Sequence, residues 1–177
     1  MSTLSRIGQA AAERGLPFLV VGGYAVMAHG FSRTTLDLDL LISRGSRVAW
    51  TDLLAALGYK LWQESSAFSQ FTAPPSELPV DLMVVADDSF AKLAADARDA
   101  HYGDAVSKVV SLWHLLALKC HAIKHGHPGR VEKDVDDVLR LIEVNHLDVY
   151  SDKLRETVLT HGIPELYDKL QRTFGKS

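Results

Sequence analysis

The fold is decided by residues 20–39, which read VVGGYAVMAHGFSRTTLDLD. The short apolar run at residues 18–21 is bounded by a proline and a glycine, which is typical of a buried strand. Gly22-Gly23 then turns the chain into a short predicted helix that ends at Gly30. Because glycine has no Cβ and the start of a helix carries partial positive charge, backbone amides at this turn can approach an anion closely.

Two carboxylates follow on the next predicted strand, residues 36–42. Asp37 and Asp39 are two positions apart, so both side chains point to one face of a strand, while the leucines around them point to the other. Two like charges this close repel one another unless a cation joins them, and ligation by oxygen alone suits Mg²⁺ or Mn²⁺. The alternative is a solvated strand face that binds no metal.

A third carboxylate, Asp81, interrupts the otherwise apolar run at residues 78–85, which is predicted to be a buried strand. A carboxylate in such a strand needs a charged partner or a metal if it is buried, and the alternative is a polar sheet edge. A glycine turn, a helix, a carboxylate pair and a third carboxylate on a later strand form a more specific pattern than any one of these features.

Three motifs thus occur in order: Gly22-Gly23-Tyr24, Asp37-Leu38-Asp39 and Asp81. This arrangement resembles the DNA polymerase β-type nucleotidyltransferase superfamily. The linking residues resemble its small bacterial branch that includes abortive-infection (type IV toxin–antitoxin) nucleotidyltransferases: Ala25, His29, Gly30, Arg33, Thr34 and Thr35. A later stretch resembles the C-terminal helical motif of that branch: residues 115–119, Arg130 and residues 133–137. Together the resemblance covers residues 17–145.

The resemblance implies a fold of the α+β (α/β) class, with a mixed sheet flanked by helices and then a C-terminal helical part. It implies an enzyme that moves a nucleoside monophosphate from a nucleoside triphosphate such as ATP to an acceptor hydroxyl, releasing pyrophosphate with the help of Mg²⁺ (or Mn²⁺). The implied acceptor is RNA such as tRNA, a protein or a small molecule, and a toxin role would add a cognate antitoxin protein as partner. The alternatives are a catalytically silent nucleotide- or partner-binding protein of the same fold, and a structural interaction protein whose aspartates are surface charge.

The same resemblance implies a role for each residue of the motifs. Asp37 and Asp39 would be shared ligands of two metals, and Asp81 would complete the acceptor-side metal and help to deprotonate the nucleophile. The two glycines would cradle the phosphates. Tyr24 is included among the implied nucleotide-binding residues. It stands where many members carry serine or threonine, so phosphate contact there falls to backbone amides or a water.

Two basic residues are candidate nucleotide contacts. Lys119 lies on the apolar face of a helix predicted to begin after Ser111, and its ammonium either reaches solvent or is directed at the triphosphate or at Asp134. Arg33 either binds phosphate or ties its loop to an acidic neighbour.

Histidines follow on the same predicted helix, with His121 and His125 four residues apart and His127 close behind. This spacing can hold zinc. A structural zinc needs four good ligands, however, and the sequence offers no second cluster. The alternative is a basic patch that faces RNA or a nucleotide and includes Lys124, Arg130 and Lys133.

The chain divides, by its pattern, into a nucleotidyltransferase α/β core at residues 1–102 and a C-terminal helical region at residues 103–177 packed on that core. Residues 87–101 are predicted to be helical, and no strand is predicted after Ser111. The 177 residues carry a net charge of −3 and one cysteine, which argues against binding nucleic acid by bulk positive potential and excludes a disulfide framework. No signal-like start and no membrane-spanning apolar run is found, so we expect a cytoplasmic protein.

Overall fold

The computed structural model describes residues 1–126 and 128–175. The chain divides into two compact units, one made of Met1–Ala28 and Arg33–Ser111 and the other of His29–Ser32 and Leu112–Ser177. All the strands in the described residues belong to the first unit.

A mixed sheet, seven-stranded over the described residues, is the core of the first unit. Its strands are β1 (Leu19–Val20), β2 (Leu38–Ser43), β3 (Lys60–Glu64), β4 (Phe68–Thr72), β5 (Val80–Val85), β6 (Arg98–Tyr102) and β7 (Ala105–Val109). They lie in the order β3-β4-β5-β2-β1-β7-β6. β2 pairs with β5 and β1 with β7 in parallel, and the other neighbours are antiparallel, so the predicted α+β class with a mixed sheet is confirmed.

The described helices pack against this sheet or make up the second unit. They are α1 (Thr3–Glu13), α2 (Gly22–Ala28), α3 (Arg47–Ala56), α4 (Asp87–Ala95), α5 (Leu112–His125), α6 (Pro128–Val144), α7 (Asp152–His161) and α8 (Pro164–Phe174). None of the helices among the described residues is both long and apolar enough to cross a membrane.

Asp39 is a partly accessible position in the otherwise largely buried central strand β2. Leu38 and Leu40 are inaccessible to solvent, whereas Asp39 between them is partly accessible. β5 repeats this pattern around Asp81. Because alternate side chains of a strand point to opposite faces, Leu38 and Leu40 lie on one face of the sheet. The other face receives both aspartates and also the buried Leu41.

β5 lies within the strand predicted at residues 78–85. β2 begins two residues later than predicted, at Leu38. Leu36, which was expected to point inward with the other leucines, is instead 77% exposed, since it precedes the strand and has no strand partner.

The helix predicted over residues 87–101 is wrong in its second half. α4 ends at Ala95, and residues 98–109 form the β6–β7 hairpin around Gly103, whose φ is +66°. Buried and exposed positions alternate along β7, as in a strand with one covered face, and β7 adds to the sheet by pairing with β1. The predicted boundary after Tyr102 therefore falls in a hairpin turn, and the first unit extends to Ser111.

Arg47, at the start of α3, holds the β3–β4 hairpin at the edge of the sheet. Its Nη2 donates to the carbonyl oxygens of Ser65 at 2.6 Å and Phe68 at 3.1 Å. The same atom forms an ion pair with Glu64 at 2.8 Å. Charge-assisted hydrogen bonds of this kind are stronger than neutral ones, so the hairpin is fixed to α3.

The register of β2 predicts a large difference between two leucines. Leu40→Ala should lower the free energy of unfolding by about 2–5 kcal/mol, because it leaves a cavity in a fully buried site. Leu36→Ala is the matched control and should change stability by no more than about 0.5 kcal/mol, since that side chain is exposed. Urea denaturation followed by circular dichroism measures both values, and equal losses would contradict the register.

Candidate active site

The three aspartates predicted from the sequence converge at one place in the first unit. Asp39 and Asp81 are cross-strand partners in the parallel pair β2/β5, and Asp37 lies directly before β2. One carboxylate oxygen from each lies within 4.8 Å of the others, and all three residues are partly buried. Three carboxylates at this separation are a donor set that can hold a hard divalent cation by oxygen ligands alone.

Neutral hydrogen-bond donors orient two carboxylates of this triad, those of Asp37 and Asp81. The Thr35 hydroxyl donates to Asp37 Oδ1 at 2.8 Å, and the Gln70 side-chain amide donates to Asp81 Oδ2 at 2.9 Å. Thr35 belongs to the residues that carry the family resemblance, whereas no motif of the sequence indicates Gln70. The signal for Gln70 is the register of the β4–β5 hairpin, in which it is the cross-strand partner of Asp81.

The Gly22-Gly23 turn lies directly against this carboxylate site. Gly22 has a φ of +57°, and a Cβ at this position would overlap the Asp39 carboxylate. A Cβ at Gly23 would lie 2.5 Å from Thr35 Oγ1 and 3.2 Å from Arg33 Nη1. The turn therefore needs glycine at both positions, because any side chain would displace the residues that surround the site.

Arg33, a predicted phosphate contact, lies beside the same turn. Its Nη1 also donates to the carbonyl oxygen of Thr34 at 3.2 Å. The guanidinium thus brings positive charge close to the backbone of the glycine turn, and its contact with a nucleotide stays a prediction.

Tyr24, the other residue of the glycine motif, packs its ring on Tyr102 with the ring centroids 5.6 Å apart and the planes at 58°. Burial raises the pKa of the Tyr24 hydroxyl. The ring lines an open pocket of about 330 Å³ in the first unit, whose other lining residues are Ser2, Leu4, Met27, Ala28, His101 and Tyr102. A contact between Tyr24 and a nucleotide stays a prediction.

Lys119 lies in the second unit and is buried, with 8% of its surface exposed. Its Nζ is 2.6 Å from Asp134 Oδ1 and 2.7 Å from Asp137 Oδ2, so it joins α5 to α6. The alternative in which the ammonium reaches solvent is wrong, because the side chain is enclosed by these two buried carboxylates. Of the two expected partners, the structure shows Asp134, and the triphosphate contact stays a prediction.

The crowding at Gly22 predicts that this glycine cannot be replaced. Gly22→Ala should lower stability and reduce the rise in melting temperature caused by Mg²⁺, since the new methyl group displaces the Asp39 carboxylate. Gly15→Ala is the matched control: Gly15 has a φ of +62° and no atom within 4 Å of the Cβ position, so only the backbone cost of about 1–2 kcal/mol applies. Thermal melts with and without Mg²⁺ compare the two variants, and an equal Mg²⁺ response in both would refute the contact.

The buried ion pair predicts a large stability loss when the lysine charge is removed. Lys119→Met should cost about 3–5 kcal/mol in the free energy of unfolding, because two buried carboxylates lose their cation. The control is Lys108→Met, which breaks an exposed pair with Asp99 and should cost no more than about 1 kcal/mol. Both are measured by urea denaturation, and a similar small effect in the two variants would contradict the role given to Lys119.

Solved structures with the same fold are known, although no curated protein matches the chain at significant similarity. The solution structure of the antibiotic-resistance factor ANT(2'')-Ia matches with a TM-score of 0.68 at 17% identity, over 95% of this chain and 92% of that one. ANT(2'')-Ia in complex with adenylyl-2''-tobramycin matches with a TM-score of 0.62 at 17% identity, over 96% and 95%. The lincosamide antibiotic adenylyltransferase LnuA, lincomycin-bound, matches with a TM-score of 0.58 at 16% identity, over 78% and 94%. Identities this low show the fold, which is that of the polymerase β-like nucleotidyltransferases.

A family model agrees with the fold. The model described as "Nucleotidyl transferase of unknown function (DUF2204)" matches residues 1–171. The predicted resemblance to the polymerase β-type nucleotidyltransferases is thereby confirmed. Since the match extends over nearly the whole chain, this protein belongs to the DUF2204 family of nucleotidyl transferases.

Proposed function

We propose that this protein is a Mg²⁺-dependent nucleotidyltransferase that moves a nucleoside monophosphate from a nucleoside triphosphate to an acceptor hydroxyl. The observation that carries the proposal is the convergence of Asp37, Asp39 and Asp81 beside the glycine turn. The family supports nucleotidyl transfer as the reaction class.

The donor set fits a divalent metal. The three oxygens that converge are all carboxylate oxygens, which Mg²⁺ and Mn²⁺ prefer. The hydrogen bonds from Thr35 and Gln70 orient two of the carboxylates but, being neutral, add no positive charge. Bound to Asp37, Asp39 and Asp81, divalent cations would supply charge stabilisation for the triphosphate and for the leaving pyrophosphate.

The chain's own residues would position the reactants. The acceptor oxygen forms a bond to the α-phosphorus, and the bond from that phosphorus to the pyrophosphate oxygen breaks. Asp81 would accept the proton of the acceptor hydroxyl, with its carboxylate held in orientation by Gln70. The backbone of Gly22 and Gly23 would lie against the phosphates, and Arg33 would add positive charge beside them.

Structures of the same fold favour one acceptor class among those expected. ANT(2'')-Ia was captured with adenylyl-2''-tobramycin, and LnuA is a lincosamide antibiotic adenylyltransferase with lincomycin bound. We therefore propose ATP as the donor and a small hydroxyl-bearing molecule as the acceptor. RNA or protein acceptors, the toxin role with its antitoxin, and the nucleotide contacts of Tyr24 and Lys119 stay predictions.

Removal of charge from the triad tests the proposed chemistry. Asp37→Asn or Asp39→Asn should lower the rate of transfer from α-labelled ATP by about a thousandfold or more, because loss of a catalytic metal raises the barrier by several kcal/mol. Asp52→Asn, an exposed position on α3, is the control and should keep the activity. Transfer is measured as movement of the α-label from each of the four nucleoside triphosphates to a panel of small hydroxylated acceptors, and as pyrophosphate release. Substantial turnover in the Asp37→Asn/Asp39→Asn double variant would refute the proposal.

Divalent binding is tested separately from turnover. Mg²⁺ that binds only the folded state should raise the melting temperature of the wild type and not that of the double variant. An unchanged Mg²⁺ response in the double variant would place the metal elsewhere. A normal response in a wild type that releases no pyrophosphate would favour the catalytically silent alternative.

A further inference from the structure

A pair of imidazoles that the proposed transfer reaction does not use lies on the last two turns of α5. His121 and His125 are exposed, one helical turn apart, with ring centroids 4.5 Å apart and planes tilted by 45°. Histidines at this spacing project from the same helix face, so two ring nitrogens can reach a single ion.

A third histidine comes from the end of α7. The residue after His161 is Gly162, and a Cβ at Gly162 would lie 3.2 Å from the Cβ of Cys120, the neighbour of His121 in α5. The end of α7 therefore lies against α5 at the level of the imidazole pair.

The electrostatic surroundings agree with this placement. Burial first, and then the charges of His125, His161 and Lys124, lower the pKa of His121. A neutral imidazole offers a nitrogen lone pair, which is the form that binds a metal. The last carbonyl groups of α5 carry partial negative charge, which favours the binding of a cation. The ammonium of Lys124 repels a cation and so opposes that binding.

We propose that His121 and His125, with His161 as a third ligand, form a binding site for a transition-metal ion that prefers imidazole, such as Zn²⁺, Cu²⁺ or Ni²⁺. The pair on α5 is the centre of the site. In the described residues, the aspartate triad is the one set of three candidate ligands whose atoms all lie within 4.8 Å of one another. The three histidines are therefore farther apart than this, and His161 completes the site by a rotation of its side chain. Water fills the remaining positions of a site exposed in this way.

The two metal sites differ in chemistry, which allows them to be tested independently. Oxygen ligands select Mg²⁺ or Mn²⁺, whereas imidazole suits Zn²⁺, Cu²⁺ and Ni²⁺. The histidine site is a property of the second unit and does not depend on the proposed transfer reaction. His127 lies outside the described residues.

The test is calorimetric titration of the Asp37→Asn/Asp39→Asn variant with ZnCl₂ in excess Mg²⁺. One equivalent of Zn²⁺ should bind. His121→Ala and His125→Ala should each weaken Zn²⁺ binding by about tenfold or more. Even the loss of a residue that only hydrogen-bonds to a metal ligand lowers metal affinity by about tenfold, and loss of the ligand itself should cost at least as much. His161→Ala should weaken Zn²⁺ binding as well, and His101→Ala, an exposed histidine of the first unit, is the control that should leave it unchanged.

Cu²⁺ provides a second readout, since electron paramagnetic resonance should show nitrogen ligands that are lost in the His121→Ala/His125→Ala double variant. Circular dichroism and metal-free melts confirm that each variant is folded. Absence of Zn²⁺ binding, or affinity unchanged in that double variant, would overturn the site. Unchanged affinity in His161→Ala would overturn the assignment of the third ligand.

Discussion

The register between β2 and β5 is the constraint on which the candidate active site depends. It places Leu38 opposite Val80 and Leu40 opposite Leu82, and between these pairs it places Asp39 opposite Asp81. A slip of one residue would turn the buried apolar side chains to the opposite face, so hydrophobic burial specifies the register strongly. The free energy gained by burying these side chains therefore offsets the repulsion between two carboxylates that would otherwise move apart.

Two acidic clusters among the described residues lie in different surroundings. Asp134 and Asp137 are buried with the ammonium of Lys119 within 2.7 Å of each, so the chain supplies their cation itself. Asp37 accepts a hydrogen bond from the neutral side chain of Thr35, and Asp81 accepts one from the neutral side chain of Gln70. The first arrangement suits a permanent structural link between helices. The second holds the carboxylates of Asp37 and Asp81 in a fixed orientation beside the glycine turn.

Much of the first unit could be predicted from the sequence, because its signals are local. The glycine turn, the carboxylate pair and the strand around Asp81 each follow from spacing along the chain. What the sequence analysis missed depends on pairing between distant segments: β7 is a strand because it lies beside β1, and Gln70 reaches Asp81 because of the hairpin register. The burial of Lys119 also requires contacts from another helix, which periodicity alone does not reveal.

The link from the hairpin edge to the carboxylates has an evolutionary consequence. Gln70, which orients Asp81, belongs to β4, and Arg47 fastens the β3–β4 hairpin through two carbonyl oxygens and Glu64. Substitutions at Arg47 or Glu64 would reach the proposed proton acceptor through the hairpin, with no direct contact to a substrate. Natural selection on the proposed catalysis would therefore extend to this outer edge of the sheet, and variants that lose the proposed transfer reaction are to be sought there as well as among the aspartates.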